Sequence, residues 1–257
     1  MKRPRAVTLI PVGLADEVAF GDDLGKTLVS AMQKQKLTLQ PGDILVIKHK
    51  IVSKAEGQFV ELGKVKPSAA AKKWSRQSGT DARIVELVLR ESRAVVRKRV
   101  IAGHGVLISE TRHGLVCANS GVDLSNVNGG THALLLPKAP DKSATRLRSA
   151  IKRRTGATVA VIISDSFGRP WREGLTEVAI GVAGMKPLLD FRGKRDPHGY
   201  VLRASAEAVA DELACAAGLV CGKLNGVPAC IVRGFSYQPG RGSARDLIRA
   251  RQHDLFR

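Results

Sequence analysis

The spacing of apolar residues along the chain predicts a series of buried strands. Short runs of Val, Leu, Ile and Ala bounded by Pro, Gly or Asp are typical of such strands. A turn at Pro41, Gly42 and Asp43 precedes one of these runs. The predicted strands are residues 7–12, 44–47, 94–100, 105–110, 159–163 and 229–232. The strands at 94–100 and 105–110 are close enough in sequence to form a hairpin.

Apolar residues at helical spacing predict helices between these strands. Ser68 is expected to begin one helix that Gly79 ends, and Asp81 is expected to cap the next. Ser143 is expected to cap a strongly basic helix that stops at Gly156. Further predicted helices are residues 22–35, 205–220 and 245–251. Because strands and helices alternate irregularly, the pattern favours an α+β fold over a doubly wound sheet.

The length of 257 residues suffices for a single domain with a substantial core, which can consist of two structural subdomains. No apolar run approaches the roughly 20 residues that span a bilayer. The basic N-terminus turns acidic at Asp16 without a long apolar stretch, so no signal peptide is expected and the chain is predicted to be cytoplasmic. The cysteines lack metal-ligand spacing and are expected to be free thiols: Cys117, Cys215, Cys221 and Cys230.

The formal net charge of +19 indicates an attraction for anions, which include nucleic acids and small anionic substrates. The basic residues are spread along the chain rather than concentrated in one tail. Aromatic residues, which stack against single-stranded bases, make up only 4% of the sequence. Nucleic-acid binding is therefore the less favoured interpretation. A solvated basic surface without a specific partner explains the charge equally well.

A polar turn follows the apolar residues 115–117. It places the carboxylate of Asp123 three residues before the carboxamide of Asn126. Oxygen donors of this kind suit Mg²⁺ or Mn²⁺, which prefer carboxylates, waters and substrate phosphates. The alternative is an Asx-turn or helix cap, in which Asp123 only accepts backbone hydrogen bonds.

A second polar segment comes directly after the predicted strand 159–163. Asp165 stands at the end of this strand, which is a common position for a metal ligand, and Ser166 adds a hydroxyl. Arg169 and Arg172 can pair with phosphate or carboxylate groups. A capping role in the following turn is the alternative for Asp165.

Two further segments are candidates for contact with phosphate. Residues 48–57 follow the predicted strand 44–47 and contain His49 and three lysines, which can hold phosphates as point charges. Their alternative is a solvated strand end. Residues 221–227 form a Gly-containing loop that lacks the spacing of a P-loop, and such a loop alone is most often an ordinary turn.

The histidines share no spacing that would indicate a nucleophile triad, so a Ser or Cys hydrolase without metal is disfavoured. The scattered histidines are His104, His113, His132, His198 and His253. Carboxylates, lysines, arginines and glycine-containing loops remain. This set suits phosphoryl-group chemistry, in which positioning and charge neutralisation provide most of the catalysis.

Together, and in this order, these segments resemble the coenzyme F420-0:L-glutamate ligase family. The resemblance spans nearly the whole chain, over GDILVIKHKIVSKAEG, CANSGVDLSNV, VAVIISDSFGRPWREG with the following VAIGVAGM, and ADELACAAGLVCGKLNGVPACIVRG. It implies a two-part α+β fold of an unusual kind that forms an intertwined homodimer. A C-terminal nitroreductase-like domain, found in the fused mycobacterial arrangement, is not expected.

The resemblance also implies a reaction. A GTP-dependent ligase would add one or more γ-linked L-glutamates to coenzyme F420-0 through an acyl phosphate, releasing GDP and phosphate. Two divalent cations, Mg²⁺ or Mn²⁺, and a K⁺ ion would assist. The expected partners are thus GTP, L-glutamate and coenzyme F420-0. The alternatives from other classes are a metal-dependent phosphohydrolase and a basic nucleic-acid-binding protein.

Position by position, Asp123 and Asp165 match the family's metal-binding aspartates, and Ser166 matches a hydroxyl residue that supports a second cation. The two aspartates and Arg169 are the candidate catalytic residues. The implied nucleotide-binding residues are Leu14, Ala15, Asp16, Glu17, His49, Lys50, Lys54, Asn126, Cys221, Gly222, Lys223, Leu224, Asn225, Gly226 and Val227.

One position departs from the family's pattern. Archaeal members carry an acidic metal ligand in the loop that corresponds to residues 221–227, where this chain has Lys223 and is one residue shorter. Either a second cation is bound differently here, or Lys223 supplies part of its charge. The alternative is a solvated loop lysine without a role.

Overall fold

The computed structural model describes residues 6–101, 103–125 and 130–255. The strands are β1 (Thr8–Val12), β2 (Ile44–Lys48), β3 (Phe59–Glu61), β4 (Ser92–Ile101), β5 (His104–Thr111), β6 (Val116–Ala118), β7 (His132–Leu134), β8 (Ala160–Arg169), β9 (Arg172–Ala183), β10 (Leu189–Asp190), β11 (Ala206–Glu207) and β12 (Ala229–Arg233). The helices are α1 (Leu24–Lys34), α2 (His49–Ala55), α3 (Ala69–Ser78), α4 (Ala82–Glu91), α5 (Pro140–Thr155) and α6 (Val209–Cys221). None of the helices within the described ranges combines the length and the apolarity needed to cross a membrane.

The central sheet has the strand order β1, β12, β2, β8, β9. β2 and β8 run parallel, and the other neighbouring strands run antiparallel. Leu45 and Ile47 of β2 pack into a core that includes residues of α1 and α5, whereas Ile44 and Val46 pack into a second core with α6. Both faces of the sheet are thus covered, which explains why this run is apolar without alternation. The prediction of a mixed α+β fold is confirmed.

Two smaller sheets pack with α3 and α4. β3 pairs with β7, and β4, β5 and β6 form a three-stranded antiparallel sheet. Leu62 and Leu87 belong to one small core in this region, and Val85 and Leu107 belong to another. The predicted hairpin is confirmed and is longer than expected. The intertwined homodimer, the two-part family fold and the domain boundaries stay predictions.

Several helix ends are where the sequence predicted them. The Ser68 hydroxyl accepts a hydrogen bond from Ala71 N (3.2 Å), and Asp81 accepts one from Arg83 N (2.8 Å). Gly79 and Gly156 end their helices with left-handed φ angles of 69° and 75°. Each of these ends is satisfied by the residue type that local chemistry favours there.

Ser143 does not cap α5, contrary to the prediction. The helix begins at Pro140, because proline fits the first position of a helix, where its missing N–H is not needed. Ser143 is buried inside the first turn, where its hydroxyl bonds Glu56 Oε1 (2.5 Å) and Ala139 O (3.2 Å). Ser143 therefore does not cap the helix but connects it to Glu56, which follows α2 in the chain.

The last two predicted helices differ from the structure. Residues 206–207 belong to β11, and α6 begins only at Val209. The predicted helix 245–251 is wrong, since the structure has only short 3₁₀ turns at Ala244–Leu247 and Arg251–His253. This basic segment has few apolar side chains to bury, and an isolated short helix is marginal without such burial.

The central sheet is interrupted on one side of β8. The pairing of β2 with β8 ends where Lys48 lies opposite Ser164. Directly after Lys48 the chain leaves β2 and enters α2. β8 continues to Arg169, and among the described strands its continuation is paired with β9 alone. The sequence predicted a loop after residue 163, but this polar segment extends the strand. A gap therefore opens beside β8 where β2 ends.

Gly79→Ala should lower the free energy of unfolding by about 1 kcal/mol, because the added Cβ is unfavourable at a left-handed φ of 69°. The Cβ would also lie 3.2 Å from Gly103 O. Gly63→Ala is a matched control, since its added Cβ comes no closer than 3.6 Å to another atom and its φ is not left-handed. Urea unfolding of both variants measures the effect, and equal losses of stability would contradict the role of Gly79.

Candidate active site

A cavity of ≈ 1100 Å³ occupies the gap in the sheet. It is lined by residues 14–18, by the first residues of α2, by residues 123–125, by part of β8 and by residues 221–224 and 226–228. The predicted site residues are therefore brought together from segments that are far apart in sequence. Arg169 and Asn225 are the exceptions among the described residues, and Asn126 lies outside the described part of the chain.

Asp165 lies within β8, beside the first residue of α2. Its Oδ1 atom is 3.2 Å from His49 Nε2 and accepts a hydrogen bond from Ser166 N (2.7 Å). His49 is buried, and its Nδ1 lies 3.2 Å from Ser53 Oγ. The imidazole is thus fixed from both sides, and the interpretation of this segment as a solvated strand end is wrong for His49. Its position orients the Asp165 carboxylate at the wall of the cavity.

Asp123 faces the cavity from a turn that is anchored to β7. Its backbone N–H and C=O both bond Leu134, at 3.0 and 2.8 Å. Oδ1 accepts a hydrogen bond from Ser125 N (2.7 Å), and Oδ2 is 2.7 Å from Lys50 Nζ. Burial raises the pKa of this carboxyl, but the bonds from Lys50 and Ser125 outweigh it and hold the pKa below its ordinary value. Oδ1 of Asp123 therefore forms the Asx-turn, while Oδ2 contacts Lys50, which also lines the cavity.

Lys54 is buried at the end of α2, with only 7% of its side chain exposed. Its ammonium group bonds the carboxylate of Glu17, which belongs to the loop at residues 14–18 and is 76% exposed. A buried ammonium needs a partner, because its desolvation is costly. Lys54 also lines the cavity, so its ammonium group lies where an anion that enters the cavity could compete with Glu17.

Glu177 was not found by sequence reasoning. It lies on β9, where its carboxylate bonds Lys48 Nζ (2.5 Å), Ser166 Oγ (2.7 Å) and Ser164 Oγ (2.8 Å). Burial raises the pKa of Glu177, but these bonds, that from Lys48 first, hold it below its ordinary value. The available signal was a single acidic residue beside the apolar run 178–183, which is unusual for the buried half of a strand.

Lys223, in the loop after α6, contacts Ser166, which in turn bonds Glu177. The helix ends at Cys221, and Gly222 has a left-handed φ of 60° that redirects the chain. Lys223 Nζ donates to Ser166 Oγ (3.0 Å). The Asn225 side chain packs beside Gly222 instead of lining the cavity. The loop lysine is exposed but has a polar partner within the site.

Arg169 and Arg172 lie at the turn between β8 and β9, away from the cavity lining. Arg169 donates to Glu173 O (3.2 Å), and both arginines are exposed. Within the part of the chain that the structure describes, neither arginine forms a hydrogen bond or ion pair with Asp123 or Asp165. Catalysis by Arg169 stays a prediction.

The four cysteines are free thiols, as predicted. Burial raises the pKa of Cys117 and of Cys230 to about 12. Burial also raises the pKa of Cys221, which lines the cavity. Since the thiolate is the reactive form, these three residues are poor nucleophiles at neutral pH.

Asp123 and Asp165 supply carboxylate oxygens to one cavity, which is the donor chemistry that Mg²⁺ and Mn²⁺ prefer. Within the described ranges, no group of three or more His, Cys, Asp and Glu side chains is arranged to hold a metal. Mg²⁺ usually binds through one or two carboxylates and completes its shell with waters and substrate phosphates. The carboxylates of Asp123 and Asp165 are of the type that holds such a cation together with a phosphate-bearing ligand, and cation binding by them stays a prediction.

Comparison with known proteins identifies close relatives. A family model described as F420-0:Gamma-glutamyl ligase matches residues 14–234. The coenzyme F420:L-glutamate ligase of Methanothermobacter thermautotrophicus is 45% identical over 254 residues, which cover 98% of this chain and 99% of the relative. The enzyme of the same name from Methanopyrus kandleri is 42% identical and covers 96% of both chains. That of Methanocaldococcus jannaschii is 43% identical over 85% of this chain and 86% of its own.

Glu177→Gln should lower the free energy of unfolding of the metal-free protein by about 2 kcal/mol at pH 7, because Lys48 loses its charged partner. The pKa of Glu177 is lowered in the folded state, so this contribution is complete above its ordinary value of 4.5. It disappears as the pH falls through the folded-state pKa, since the wild-type carboxylate then becomes neutral as well.

Denaturant unfolding at pH 7 and at pH 3.5 measures this difference. Glu61→Gln is the matched control, because Glu61 forms an exposed pair with Lys64 and its loss should change stability little at either pH. A deficit of the Glu177 variant that is the same at both pH values would contradict the charged contact with Lys48.

Proposed function

The chain belongs to the F420-0:Gamma-glutamyl ligase family, and from this premise we propose that it is a GTP-dependent ligase that joins L-glutamate to coenzyme F420-0. One observation carries the proposal. The carboxylates of Asp123 and Asp165 line one cavity and are held by Lys50 and His49, which are neighbours at the start of α2. All residues that line the cavity lie within the segment that the family model matches.

The reaction must first activate a carboxylate, which does not react with an amine at a useful rate. An oxygen of the coenzyme's carboxylate attacks the γ-phosphorus of GTP, and the bond from that phosphorus to the β–γ bridging oxygen breaks. GDP leaves, and an acyl phosphate forms. The glutamate amine then attacks the acyl carbon, the carbon–oxygen bond to phosphate breaks, and the amine loses a proton. The products are the amide, GDP and phosphate.

Both steps bring several anions together, and the cavity offers positive charge to offset their repulsion. A cation bound at Asp123 and Asp165 would act as a Lewis acid toward phosphate oxygens. Lys50 and Lys54 of α2 face the same space, each with an ammonium group on a carboxylate that an incoming phosphate can displace. Such positioning and neutralisation account for most of the catalysis of phosphoryl transfer. Assistance by K⁺ stays a prediction.

Mass spectrometry of a reaction with GTP, Mn²⁺, L-glutamate and coenzyme F420-0 tests the proposal. The expected product is the coenzyme with glutamate attached, formed together with GDP. GTP hydrolysis without incorporation of glutamate would instead indicate a phosphohydrolase. Binding to random DNA with a steep salt dependence, and no affinity for GTP, would indicate a nucleic-acid-binding protein.

Asp123→Asn and Asp165→Asn should each lower the rate of ligation by roughly a hundredfold or more, because each removes one negative oxygen from the proposed cation site. Steady-state rates at saturating Mn²⁺ measure the effect, and thermal unfolding checks that the fold is intact. Asp190→Asn is the matched control, since Asp190 forms an exposed pair with Arg192 away from the cavity lining. Normal turnover in either cavity variant would exclude the two-aspartate site.

Lys54→Ala should weaken the apparent affinity for GTP roughly tenfold to a hundredfold, the size of one charge-assisted contact with phosphate. The apparent affinity for glutamate should change less. Lys64→Ala provides the comparison, because this lysine also pairs with a glutamate but is 80% exposed and outside the cavity lining. If the Lys54 variant keeps its affinity for GTP and loses affinity for glutamate, Lys54 contacts the amino acid instead.

A further inference from the structure

The two faces of β8 differ within the cavity. Alternate residues of a strand point to opposite faces, so Ser164 and Ser166 share one face and Asp165 occupies the other. The two serine hydroxyls bond Glu177, whereas Asp165 contacts His49. We call the group on the serine face the Glu177 cluster, which consists of Lys48, Ser164, Ser166, Glu177 and Lys223.

The Glu177 cluster carries an excess of positive charge. Its single carboxylate is already engaged by Lys48 at 2.5 Å and by the hydroxyls of Ser166 and Ser164 at 2.7 and 2.8 Å. Lys223 adds a second ammonium, 3.0 Å from Ser166 Oγ. Glu177 and Ser164 are buried, so water screens the pair of Glu177 and Lys48 less than it does charges at the surface, whereas Lys223 is exposed. The cluster therefore contains two ammonium groups and one carboxylate.

These residues do not fit a second divalent cation beside Ser166. A cation at that hydroxyl would stand next to the Lys223 ammonium and near the Lys48 ammonium, and among the described residues of the cluster the only carboxylate, Glu177, is already engaged by Lys48. Mg²⁺ and Mn²⁺ bind where negative oxygens are in excess. A phosphate oxygen, in contrast, would find two hydrogen-bond donors of the right charge.

We propose that Lys48 and Lys223, held in place by Glu177 and Ser166, bind the terminal phosphate oxygens of the nucleoside triphosphate, so that the site uses one divalent cation instead of two. This inference rests on the proposed use of GTP. The cation belongs to Asp123 and Asp165 on the other face of the strand, and the two lysines supply the remaining positive charge.

The number of Mn²⁺ ions bound per chain tests this inference directly. Electron paramagnetic resonance reports free Mn²⁺ during a titration of the full chain with one equivalent of a non-hydrolysable GTP analogue, and a parallel titration without protein shows how tightly the analogue alone holds Mn²⁺. The wild type should bind one Mn²⁺ per chain. Lys223→Glu should bind two, because the substitution removes an ammonium and adds a carboxylate beside Ser166.

Lys223→Gln is the matched neutral variant. It should still bind one Mn²⁺, and the Kd for the analogue should rise roughly tenfold to a hundredfold, the loss expected for one charged contact. Two Mn²⁺ ions on the wild type with the analogue bound, or an unchanged Kd in Lys223→Gln, would overturn the inference and leave the ligase proposal standing. Failure of the wild type to bind the analogue at all would overturn both.

Discussion

The early end of β2 is the constraint on which the site depends. Lys48 N donates to Pro228 O (2.8 Å), but Pro228 has no N–H with which to continue the ladder between β2 and β12. The chain then turns into α2, while β8 continues beside β9. The resulting gap brings the first side chains of α2 next to the polar half of β8. This interruption thus places the start of α2 and the polar half of β8 together in the cavity lining.

Four acidic groups in or beside this gap are each held by a cationic or imidazole partner from another segment. The pairs are Asp123 with Lys50, Asp165 with His49, Glu17 with Lys54 and Glu177 with Lys48. Burying an unpaired charge is costly, so these pairs keep the free site stable. In the proposed reaction, phosphates compete for the ammonium groups and a cation competes for the aspartates. Binding is then an exchange of partners, which limits the cost of removing charges from water.

Local sequence signals were sufficient for β1, β2, β8 and β12 of the central sheet and for helix ends such as Gly79 and Gly156, whereas β9 and α2 were not predicted. Apolar runs such as residues 44–47 can only be buried, and residues such as Gly79 or Asp81 have local reasons for their positions. The polar extension of β8, in contrast, depends on pairing with β9, which no local pattern reveals. Glu177 was missed for the same reason, because its partners Lys48 and Ser166 are distant in sequence. Ser143 resembled a helix cap locally, but its hydroxyl is used in a tertiary contact.

The most direct test of the proposed chemistry follows the oxygen that attacks GTP. Coenzyme F420-0 with ¹⁸O in both oxygens of its reacting carboxylate is incubated with GTP, Mn²⁺ and L-glutamate, and the released phosphate is analysed by mass spectrometry. The acyl-phosphate route predicts that each phosphate carries one ¹⁸O, because the attacking oxygen leaves with phosphorus. Formation of the amide together with unlabelled phosphate would contradict activation of the carboxylate by GTP in this cavity.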